Sequence, residues 1–132
     1  MKKNGFTLIE VLTVIIILSM ISLITVPLIN NLLINSKKKA LESSAYGLVE
    51  SARIYYGANL RKIKQESIEF NSNNNYEGLK IKGDIPNGKI VLYKNGKTEL
   101  AIYNEKYCIT KSKNTVKLKT ELIKNVSSCE IK

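Results

Sequence analysis

The run from Phe6 to Ile34 carries a single charged side chain, Glu10, and it limits the possible folds of this chain more than any other stretch. About 20 residues at 1.5 Å each cross a hydrocarbon core of ~30 Å, so the run is long enough to span a membrane. It is too long for the apolar region of a cleaved secretory signal, and no small-residue cleavage site comes after it. Lys2 and Lys3 precede it. Under the positive-inside rule they hold the N-terminus in the cytoplasm and send the residues beyond the run outside. A plain membrane anchor explains the length but leaves Glu10 unexplained. An acid at the centre of a bilayer costs ~2.5–3.5 kcal/mol on insertion scales, and less near an end, so such a residue implies a functional partner.

The segment Lys3-Asn4-Gly5-Phe6-Thr7-Leu8-Ile9-Glu10 closely resembles the cleavage motif of type IV prepilins, the precursors of pilins and pseudopilins. The resemblance covers about the first third of the chain. It implies that residues 1–5 are a leader, and that a membrane peptidase cuts between Gly5 and Phe6 and methylates the new N-terminus at Phe6. Glycine lacks a Cβ and lets a protease approach the backbone closely. Cutting leaves a cationic amine in apolar surroundings, and Glu10 of a neighbouring subunit can neutralise it. Such a pair is strong in low dielectric, and either member alone is costly, so pairing can select register during assembly. The resemblance also implies a structural filament subunit rather than an enzyme, built into a pilus-like fibre through its N-terminal helix. Its partners would be other pilin subunits, the peptidase-methylase, a membrane platform protein, an assembly ATPase, and lipid before assembly. The chain would be a single-pass cytoplasmic-membrane protein first and a cell-surface fibre afterwards. Pro27 stands where pilins of this class carry a proline that lets the helix loosen on packing; an ordinary transmembrane proline, tolerated beside Ser22 and Thr25, is the other reading.

After Asn30-Asn31 the chain turns polar, with Lys37-Lys38-Lys39 flanking the span. Leu41, Ala45, Leu48, Ala52 and Tyr55 then recur in helical steps, and Ile63 continues the stripe. The pattern predicts one helix from Phe6 to about Gln65. Residues 6–34 form its transmembrane or filament-core half, and residues 35–65 form an amphipathic half that packs on a small domain.

Residues 66–88 are polar and rich in Asn and Gly, and predict a loop with at most one short strand at Leu79–Lys82. Lys89–Tyr93 and Thr98–Tyr103 flank Asn95-Gly96, a strong hairpin signal. A two-residue turn there sets Tyr93 opposite Thr98 and Val91 opposite Leu100. Tyr107–Thr110 reads as a third strand and Val116–Leu122 as a fourth. The fold class is therefore α+β: a long N-terminal helix on an antiparallel sheet of three to four strands, with residues 89–132 holding the sheet and the tail.

The chain has no histidine, which excludes Ser–His–Asp and Cys–His catalysis, and its two cysteines are too few for a zinc site; no cofactor is expected. Cys108 and Cys129 permit one disulfide in an extracytoplasmic domain, as many pilins close a C-terminal loop; two buried thiols are the alternative. The net charge of +10 keeps a competence-type or minor pilin that binds DNA as an alternative, beside a secretion pseudopilin, although no recognition motif accompanies the charge.

Overall fold

The computed structural model describes residues 4–123 and 125–131, so Lys2 and Lys3 of the expected leader lie outside the described residues. The chain divides into two compact units, Met1–Lys37 and Lys38–Lys132. Helix α1 (Leu8–Asn59) contributes to both.

In the first unit α1 is apolar on every side, with side chains from Phe6 to Leu33 exposed around its whole circumference. Its hydroxyls are satisfied locally: Thr13 donates to the Ile9 carbonyl at 2.7 Å, Ser19 to Ile15 at 2.7 Å and Ser22 to Leu18 at 2.8 Å. A hydroxyl bonded to its own helix can enter lipid without an unsatisfied polar group. Pro27 lies inside the helix. It lacks the N–H that would reach the Leu23 carbonyl, so that acceptor loses its helical donor.

In the second unit the last part of α1 buries Leu41, Ala45, Leu48, Ser51 and Ala52, with Tyr55 half-buried. This is the stripe the spacing predicts, and its position comes from the 3.6-residue period. The helix stops at Asn59 rather than near Gln65. Asn59 donates its side-chain amide to the Tyr55 carbonyl at 2.9 Å, and the Lys62 and Ile63 amides both close onto the Asn59 carbonyl. Asn competes with the backbone ladder in this way, and the chain turns off after one further loop of hydrogen bonds.

The sheet has five strands in the order β1-β2-β3-β4-β5, all antiparallel: β1 (Ser67–Asn71), β2 (Asn87–Tyr93), β3 (Thr98–Tyr103), β4 (Tyr107–Lys111) and β5 (Lys119–Leu122). One more strand exists than the sequence predicts. It lies inside the stretch read as loop, because Ile68 and Phe70 alternate onto the core face opposite Leu92 and Ile90. Leu79–Lys82 forms no strand, and β5 starts at Lys119, leaving Val116 84% exposed.

The β2–β3 register also differs by one residue from the expected pairing. Leu92 faces Thr98 and Ile90 faces Leu100. The connection is three residues long: the Gly96 amide bonds the Tyr93 carbonyl at 2.8 Å, the Tyr93 amide bonds the Lys97 carbonyl at 2.9 Å, and Gly96 takes φ +79. A type I turn leading into a left-handed glycine produces this geometry, and the odd loop length reverses which side chains face the core. Ile90, Leu92, Leu100, Ile102 and Ile109 are thereby fully buried against the helix stripe. Each such side chain contributes about 1.5–3 kcal/mol.

On the opposite sheet face the C-terminal tail packs over Ala101 and Cys108. Ala101, Cys108 and Cys129 form a small cluster with Tyr103, Ile123 and Ile131. Cys108 on β4 is joined to Cys129 by a disulfide with a Cα–Cα separation of 5.7 Å.

Tyr76 pins the connection between β1 and β2. It is completely buried although its φ is +51, a conformation that costs a bulky residue of order 1–3 kcal/mol. Ring burial and a hydrogen bond from its hydroxyl to the Pro86 carbonyl at 2.9 Å offset that cost. Burial, and secondarily the nearby Tyr103, push its phenol up to about 12. An acid whose folded-state pKa is raised contributes stability that is complete below its unfolded value of about 10 and is lost as pH climbs toward the folded value. The stability gap between wild type and Tyr76→Phe is therefore expected to stay constant below about pH 10 and to shrink from there toward about 12. Denaturant titrations at stepped alkaline pH read this directly, and a gap that stays flat across that window contradicts the assignment.

Candidate functional site

The first turn of α1 is built by a short reciprocal motif. Thr7 stands just before the helix, and its carbonyl accepts the Val11 amide at 3.2 Å. The Glu10 carboxylate accepts the Thr7 backbone amide at 2.7 Å and the Thr7 hydroxyl at 3.0 Å. The Glu10 amide in turn donates to the Thr7 hydroxyl at 3.3 Å. Thr-x-x-Glu closed in both directions is a capping box, which satisfies amides that a helix start otherwise leaves open. Thr7-Leu8-Ile9-Glu10 has the spacing of a capping box, so Glu10, expected from its sequence to act in assembly, also has this local role.

Around this turn the chain is open. Phe6 is 87% exposed. A Cβ added to Gly5 would meet nothing within 4 Å, so the fold itself does not require glycine there. Gly5, Phe6 and Glu10 lie together at the head of the helix, whereas Pro27 lies well along it and Cys108 and Cys129 belong to the sheet. Among the described residues no group of three or more His, Cys, Asp or Glu side chains is placed to hold a metal ion.

Helix α1 is long and apolar enough to cross a membrane, with a mean hydropathy of 2.7 in its most apolar window and none of that window buried. Residues 1–26 match the family model described as the prokaryotic N-terminal methylation motif. The N-terminus is a type IV prepilin signal motif. No curated protein and no solved structure matches the chain. The prepilin motif supports a pilin or pseudopilin precursor, processed by prepilin peptidase and passed to pilus machinery. With the apolar helix behind it, the motif fits a membrane-anchored subunit before assembly. The α+β arrangement of long helix and antiparallel sheet is pilin-like.

Proposed function

We propose that this chain is a structural subunit of a type IV pilus-like filament, cut between Gly5 and Phe6, methylated on Phe6, and assembled through the N-terminal helix. The observation that carries the reading is the open prepilin motif leading directly into an apolar helix with exposed sides. Such a helix is stable in two surroundings, lipid and a bundle of like helices. Both are apolar, so exchange between them is nearly balanced, and small polar terms decide its direction. The ammonium at Phe6 created by cleavage and the Glu10 carboxylate of an adjacent copy are that term. Pro27 sits where the helix can loosen during the exchange. A platform protein and an ATPase of the machine drive it, with Lys2 and Lys3 cytoplasmic and the sheet domain outside, where a Cys108–Cys129 bond persists.

Mass spectrometry of the chain recovered from its cells tests the processing step. The expected mature species begins at Phe6 and carries one methyl group there. Gly5→Ala is expected to leave the melting temperature unchanged, because the added methyl meets nothing. It should also abolish cleavage, so that the full-length precursor accumulates in the membrane. Recovery of wild type with Lys2 and Lys3 still attached, or normal cleavage of Gly5→Ala, contradicts the proposal.

A further inference from the structure

Lys111 is the most buried charged side chain among the described residues, at 9% exposure. It sits at the end of β4 on the helix-facing side of the sheet, opposite Leu100. Its Nζ donates to two neutral main-chain oxygens, the Thr98 carbonyl at 2.7 Å and the Ser112 carbonyl at 3.5 Å. A lysine ammonium has three N–H donors, so these two acceptors leave one over. Burying a cation this far without a carboxylate in direct contact is costly. Glu99 is near enough to favour the charge, but the Tyr93 hydroxyl donates to that carboxylate at 2.6 Å, and Arg53 opposes it.

Lys111 lines a cavity of about 500 Å³ within the sheet domain. The other basic side chains on its wall are Arg53, Lys97 and Lys113, against one acid, Glu50, among the described residues. Lys97 donates to Asn114 at 3.0 Å, and Lys113 lies over the Tyr93 ring at 3.6 Å from its centroid. Neither contact removes a charge, so Lys111, Arg53, Lys97 and Lys113 all bring positive charge to the cavity wall, against the single carboxylate of Glu50 among the described residues. Glu50 pairs with Arg53 at 3.4 Å on the exposed rim. The mouth also carries apolar surface with no protein cover: Tyr46 is 59% and Val116 84% exposed.

We propose that this cavity binds a small organic oxyanion, with its carboxylate or phosphate held between Lys111 and Arg53 and its ring or apolar body lying on Tyr46 and Val116. Acidic or phosphorylated monosaccharides have this chemistry. The site is independent of the processing motif, so failure of one reading leaves the other standing.

The test uses the full chain in neutral detergent micelles, with amide chemical shifts tracked during titration by glucuronate, glucose 6-phosphate, inorganic phosphate and uncharged glucose. Saturable shifts confined to residues 46–53 and 97–118 are expected with the first two ligands and not with glucose. The tighter of the two identifies the head group as carboxylate or phosphate. Inorganic phosphate should bind at least severalfold more weakly than glucose 6-phosphate, because it has no body to lie on the apolar rim; equal binding overturns the organic-ligand assignment. Lys111→Met should weaken binding at least tenfold while keeping the fold. Arg53→Gln, a change at the exposed rim that cannot disturb the core, should weaken it severalfold. Glu50→Gln should tighten it about two- to threefold by freeing the guanidinium. Shifts that never saturate, that centre on Lys37–Lys39, or that persist unchanged in both Lys111→Met and Arg53→Gln overturn the proposal.

Discussion

Glu10→Val is expected to give a chain that is cleaved, methylated and stable in the membrane, yet recovered in filaments at a hundredth of the wild-type level or less. Removing one member of a buried charge pair costs about 3–5 kcal/mol, which is two to three decades or more in an assembly equilibrium. The capping box complicates this expectation, because the same carboxylate also holds the Thr7 amide and hydroxyl. Loss of a cap weakens a helix start by about 0.5–2 kcal/mol, too little to unfold a helix that runs from Leu8 to Asn59. Glu10→Gln separates the two roles. Glutamine at this position still closes a capping box, but it carries no charge. Filament counts by electron microscopy, alongside immunoblots of membrane and sheared fractions, should show Gln failing as completely as Val. Full assembly of the Gln variant would show that the first-turn geometry, and not the charge, is what the neighbouring subunit needs.

Under the proposed function, the capping role and the pairing role draw on one carboxylate. In the isolated chain Glu10 is already bonded within its own first turn. In the proposed assembly, a cation arriving from a neighbour meets a carboxylate that local donors already orient and solvate, its charge intact. This lowers the cost of carrying Glu10 through lipid and makes the exchange to a pair less abrupt. Thr7, which the sequence shows only as part of a motif, is the residue that makes this possible.

The helix and its stripe are legible in the sequence because periodicity is a local signal. Leu41, Ala45, Leu48 and Ala52 repeat at helical steps and are the residues the fold buries. The features that are not legible depend on pairing across the chain or on turn parity. β1 offers two alternating apolar residues, Ile68 and Phe70, beside an asparagine-rich stretch, and it becomes a strand only by pairing with β2 from Asn71↔Lys89 to Ser67↔Tyr93. Asn95-Gly96 marks the position of the hairpin, but those two residues do not reveal whether Lys94 joins the loop. The cavity around Lys111 cannot be read from the sequence at all, since it gathers residues from α1, the β2–β3 turn and the connection before β5. By contrast the prepilin signal motif is legible because its residues are contiguous in the chain.

Gly88→Ala is expected to lower the melting temperature of the sheet domain by roughly 10–20 °C, the opposite of the silent Gly5→Ala, on a stability loss of about 3 kcal/mol. Gly88 lies in β2 opposite Ile102 with φ +132, a region that L side chains rarely adopt. A Cβ built there falls on the Ala101 carbonyl oxygen and the Ile102 Cα, and these are backbone atoms of β3 that no rotamer change can move aside. The start of β2 must then part from β3, and more is lost than one rung. The Gly88 amide donates to the Ser72 hydroxyl at 3.2 Å, and the adjoining Pro86 carbonyl receives the buried Tyr76 hydroxyl. Separation of the strands would release both anchors of the 72–86 connection and open the core around Tyr76. Thermal unfolding in detergent micelles, monitored through the near-ultraviolet tyrosine signal, measures the loss. Hydrogen exchange should show the change spreading from residues 87–88 to the Ile90 and Ile102 amides. A melting temperature within about 2 °C of wild type would mean that this end of the ladder opens freely and lies outside the cooperative core.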